Sequence, residues 1–93
     1  MSTQEAREAA AAAEALGALS WCLRAVAQGW SLDPRERDAC LSLLAAGIPG
    51  TDAADLAMTQ KILAASRRLG SRQRDRAASL SVRFREAAES FRH

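Results

Sequence analysis

A chain of 93 residues with thirteen cations, eleven acids and a formal net charge of +2 makes one small domain, with room for a single modest core. It is rich in Ala, lacks Tyr and Asn and holds two Trp and two Phe, which excludes a sheet protein because the β-branched and aromatic residues that suit strands are scarce. Two cysteines and a lone, terminal His93 exclude a secreted disulfide framework and leave no ligand set for a metal, so neither metal nor cofactor is expected.

The first predicted helix covers 3–28. Ser2-Thr3-Gln4-Glu5 reads as a capping box, and Ala9 to Ala13 give high helix propensity with small side chains. Ala9, Ala12, Leu16, Leu19, Leu23, Val26 and Trp30 recur at steps of three and four, a stripe that must be buried against a neighbour. Gly29 is the expected stop, with Trp30 folding back over the last turn. Glu14 and Arg24 interrupt the apolar segment short of the about 20 residues that span a bilayer, and no signal peptide is visible. The expectation is a soluble, cytoplasmic chain.

The second helix, 34–46, opens on Asp33-Pro34-Arg35-Glu36. Asp33 caps it, Pro34 takes the first position where its missing N–H costs nothing, and Glu36 completes a capping box. Its buried face is Ala39, Cys40, Leu43 and Leu44, and it ends at Gly47 with Ile48 packing back and Pro49-Gly50 blocking continuation. The third helix, 52–69, is capped by Thr51 and buries Met58, Ile62, Ala65 and Leu69 beside Leu56, Thr59 and Leu63. Arg67 and Arg68 fall in its last turn, where cations suit the dipole. The fourth, 72–91, buries Ala77, Leu80, Phe84, Ala87, Ala88 and Phe91. Arg72, Arg76 and Arg83 lie on one border of that stripe, and Arg74, Arg85 and Arg92 on the other. Short connections place sequential helices side by side, so the fold class is all-α: a small four-helix, mostly antiparallel up-down-type bundle in a single domain, 1–93.

Two features point to binding. Trp21 falls about 180° from the first helix's stripe, on a face with Ala10, Glu14, Gly17, Ala25 and Gln28. Either it is an exposed interface anchor with a shallow seat at Gly17, fit for a helix of another copy or of a different protein, or helix 1 is buried on two sides and Trp21 is core. The second feature is charge asymmetry. Residues 1–50 carry four Arg and six acids, whereas 61–85 carry eight cations and one acid, Asp75. Arg67, Arg68, Arg72, Arg74 and Arg76 lie within ten residues, joined by Arg83 and Arg85. Arg near a helix N-terminus is unfavourable for the dipole but favourable for an anionic partner; the plainer alternative is a solvated face partly offset by Asp75 and Glu86.

Cys22 and Cys40 fall at borders of apolar faces and read as small buried hydrophobes, with a bridge between them as the remaining alternative. Neither has a histidine partner, no carboxylate pair is placed for acid–base work, and phosphate loops, HExxH and CxxC are absent, so no catalytic residue and no enzyme are expected. The function expected is a small non-enzymatic protein-binding module, an inhibitor or adaptor of the kind phages and mobile elements encode. It would dock through its Arg surface on a protein partner that is acidic or normally takes nucleic acid, with Trp21 serving a homodimer. The alternative is sequence-independent nucleic-acid binding, through phosphate contacts only, by the same arginines. No membrane partner is expected.

Overall fold

Local capping starts each of the first three helices. The Ser2 hydroxyl accepts from the Glu5 amide at 3.1 Å and opens α1, Thr3–Ala27. The Asp33 carboxylate accepts from the Arg35 amide at 2.8 Å and opens α2, Pro34–Ala46. Asp52, not Thr51, caps α3, Ala53–Ala64, by accepting from the Ala54 amide at 2.7 Å. A carboxylate two residues ahead reaches that amide, while the Thr51 amide is taken up by the Ile48 carbonyl in the preceding turn. α4 spans Ser71–Phe91. The computed structural model describes residues 2–65 and 68–91, which are all-helical between turns.

The order is up-down-up-down. Gly29, just past the end of α1, lies beside Arg74 near the start of α4, and the middles of these helices meet at Ser20 and Ser81, so they run antiparallel. Asp55 near the start of α3 meets Arg83, while Met58 one turn on meets Arg76; α3 is therefore also antiparallel to α4. Gly50 in the α2–α3 turn sits against Phe91 at the far end of α4. The bundle measures 44 × 22 × 20 Å, its long dimension set by α1, about 37 Å at 1.5 Å per residue.

The α1–α4 pairing is the most extensive in the molecule. Leu16, Leu19 and Leu23 of α1 and Phe84 of α4 are fully buried with Ile62, Leu63 and Thr59 of α3. Each of the apolar side chains among them contributes about 1.5–3 kcal/mol of transfer free energy. Two polar residues cross this seam. The Ser20 hydroxyl donates to the Ser81 carbonyl at 2.7 Å and the Ser81 hydroxyl donates to the Ser20 carbonyl at 2.8 Å. Small side chains let the helices approach, and the reciprocal bonds leave neither hydroxyl orphaned. Thr59 solves the same problem locally, donating to the Asp55 carbonyl one turn back at 2.8 Å.

Several sequence expectations change. Trp30 does not extend the α1 stripe: Gly29 adopts φ +80°, the Trp30 amide turns back to the Ala25 carbonyl at 2.9 Å, and the indole is left 63% exposed. The left-handed residue takes Trp30 off the helical register that the spacing assumed. α3 stops at Ala64, five residues before Leu69, and the amide of its cap Ala65 is shared between the Lys61 and Ile62 carbonyls. Leu69 still reaches the core, but from the connecting segment, and Arg68 lies past the helix end. Ala39 and Ala65 are exposed, and Phe91 is 37% exposed because it stands at the end of the bundle. By length and composition α1 is long and apolar enough to cross a membrane, with an 18-residue window of mean hydropathy 1.2, but half of that window is buried inside the bundle, as in a core helix.

Candidate partner-binding surface

The arginines separate according to their phase on α4. Arg72, Arg76 and Arg83 project to the side where α3 packs, and with Asp55, Met58 and Leu80 they line an open groove of about 600 Å³. Arg74 projects to the opposite side, into a smaller recess at the α1–α2 connection shared with Trp30 and Arg37. Arg85 lines a third groove, between α1 and α4, beside Trp21, Arg24 and Glu89. Arg68 is exposed in the α3–α4 connection, and Arg67 lies outside the described residues. The seven arginines are thus one cluster in sequence and at least three surfaces in space.

The α3–α4 groove has the richest chemistry. Met58 and Leu80 give it an apolar floor, and Met adapts to irregular surfaces. Arg83 is held across the groove by the Asp55 carboxylate at 2.9 Å. Asp55, in the first turn of α3, is therefore a bridge between helices. The Arg76 guanidinium approaches the Met58 sulfur at 4.0 Å, its stem lying along the apolar wall as long cationic side chains do. Among the described residues no carboxylate lies within ion-pair distance of Arg72 or Arg76. Asp75 lines the same groove, and among the described residues neither it nor Glu86 forms an ion pair. The groove therefore offers two guanidiniums with no ion-pair partner among the described residues, one fixed guanidinium and an apolar floor.

No protein family, curated protein or solved structure matches this chain. Its functional reading stands on geometry.

Trp21 is 53% exposed, which decides between the two readings of its position: it is surface. Gly17, one turn earlier, lines the same α1–α4 groove, and a Cβ built on it meets nothing within 4 Å. Where α1 meets α2, Cys22 and Cys40 are both buried free thiols, their sulfurs 2.7 Å apart. They link α1 to α2 without a bridge. The hydrogen bond to Cys40, with burial behind it, pushes the Cys22 thiol up and keeps it protonated. Among the described residues no three His, Cys, Asp or Glu gather as a metal site.

Sequence periodicity placed the arginines on two borders of α4 but carried no signal for Met58 or Leu80 as groove floor. Their meeting with Arg76 and Arg72 depends on the offset between α3 and α4, which only the packed bundle defines.

Proposed function

We propose that this chain is a small, non-enzymatic, cytoplasmic protein-binding module, an inhibitor or adaptor of phage or mobile-element type, whose α3–α4 groove receives an acidic, amphipathic segment of a protein partner. The observation that carries this reading is the pairing of unneutralised Arg72 and Arg76 with the apolar Met58 and Leu80 in one open groove. An acidic helix would place carboxylates on the guanidiniums, where charge-assisted bidentate bonds are strong, and apolar side chains on the floor. A nucleic-acid backbone would use only the charges. The dispersal of Arg74 and Arg85 to other faces also supports a local protein contact over a phosphate track, which requires a continuous basic surface.

The test is fluorescence anisotropy with a labelled Glu-rich amphipathic peptide, a short duplex DNA and a single-stranded RNA, each titrated at about 50 and 200 mM salt. Peptide binding that survives the higher salt and is lost in Arg72→Glu/Arg76→Glu supports the reading. Binding of the nucleic acids alone, falling steeply with salt, replaces it with sequence-independent phosphate binding. Binding unchanged by the double reversal removes this groove from the account.

A further inference from the structure

Gly17 is unexplained by the bundle that contains it. Glycine in a helix interior costs up to about 1 kcal/mol relative to alanine, and nothing inside the molecule crowds its position. The space it opens faces outward, one turn from the exposed Trp21 indole.

The outer face of α1 has an internal symmetry. Ala10, Glu14, Gly17, Trp21, Arg24 and Gln28 succeed one another at steps of four, three, four, three and four, so they share one side of the helix. All are exposed except Gly17, which is half-buried. Taken from the two ends inward, they pair as Ala10 with Gln28, Glu14 with Arg24, and Gly17 with Trp21, each pair centred on position 19. A two-fold axis perpendicular to α1 at that point would bring each residue opposite its pair in a second, antiparallel copy. Small would then meet large, acid would meet base, and the indole would meet the open glycine.

We propose that this face is a homodimer interface, in which α1 packs antiparallel on α1 of a second copy, with Trp21 of each protomer seated on Gly17 of the other and Glu14 paired with Arg24 across the axis. Such an interface is isologous, using one self-complementary patch twice. The patch runs about 27 Å along α1, from 1.5 Å per residue. A large aromatic at its centre matches the anchors that dominate binding energy elsewhere. Charge complementarity selects this occupant: Glu14 and Arg24 form no ion pair among the described residues of the protomer, and each finds its opposite when the copies align. The interface is separate from the α3–α4 groove, so the two proposals stand or fall independently.

Sedimentation equilibrium over a range of protein concentrations reads the outcome. The wild-type chain of 10.0 kDa should move to twice that mass, and Trp21→Ala should stay monomeric with an unchanged circular dichroism spectrum, its melting temperature no longer rising with protein concentration. Glu14→Arg and Arg24→Glu each create two like-charge pairs and should weaken the dimer by ~10-fold or more. Mixing these two variants should restore the doubled mass, because every cross-axis pair is then opposite in sign. Gly17→Ala should raise the melting temperature at dilutions where both chains are monomeric and still weaken the dimer at higher concentration, two effects of opposite direction that a purely structural glycine would not give. A wild-type chain that stays monomeric throughout, or a dimer indifferent to either charge reversal, overturns the proposal. So does failure of the two folded reversal variants to associate when mixed.

Discussion

The α1–α4 pair and the α2–α3 hairpin are built to different standards. α1 buries nine residues and α4 five, and reciprocal serine hydrogen bonds close the seam between them, whereas α2 buries only Cys40 and Leu44. α3 is intermediate, contributing Thr59, Ile62 and Leu63. The lesson is that one helix pair supplies the frame and the other covers it. Function divides the same way: the groove with free arginines lies where the thinner α3 meets α4, and the face with Trp21 lies on the outside of the frame.

The sharpest way to break that asymmetry is at its two cores. Phe84→Ala empties the centre of the frame and should cost about 3–5 kcal/mol, against about 2 kcal/mol for Leu44→Ala in the cover. Urea denaturation of both variants measures the difference, and equal losses would erase the distinction. The contrast can also be weakened by reinforcing the cover. Diamide should take the two thiol hydrogens of Cys22 and Cys40, joining sulfurs that already stand 2.7 Å apart, and close a short loop from α1 to α2. The product should be lighter by two hydrogens and more stable by roughly 3 kcal/mol, with α2 amides exchanging more slowly than in the reduced protein. The smallest effect is expected from Ser20→Ala, which removes one hydroxyl from the seam and leaves the Ser81 carbonyl without that donor. A loss of about 1 kcal/mol in the same denaturation assay would confirm that the polar pair contributes to the frame.

Much of the frame was legible in the residues. The spacing of Leu16, Leu19, Leu23 and Val26, the glycines at 29 and 47, and the Asp33-Pro34 start each act within one helix or turn, and each reappears in the fold. Local signals misled where two of them competed. Thr51 and Asp52 are both good caps, and the carboxylate took the role. Gly70 marks a stop, yet α3 ended earlier, at Ala64. The surface was less legible than the core. Trp21 could be placed opposite the stripe, but its exposure depended on whether another helix covered that side. The arginines were close in sequence, and the helical phase of α4 carried Arg74 and Arg85 away from Arg72, Arg76 and Arg83.

The Ser20–Ser81 pair also works as an indexing pin. Apolar seams tolerate sliding, because one leucine contact replaces another at little cost. Four hydrogen-bonding groups that satisfy each other only at one alignment do not. A shift of α1 by a single turn would break both inter-helix bonds, each at a net cost of about 1 kcal/mol. The frame is thereby locked in both translation and rotation, and the azimuth of Trp21 relative to Arg85 on the neighbouring helix is locked with it.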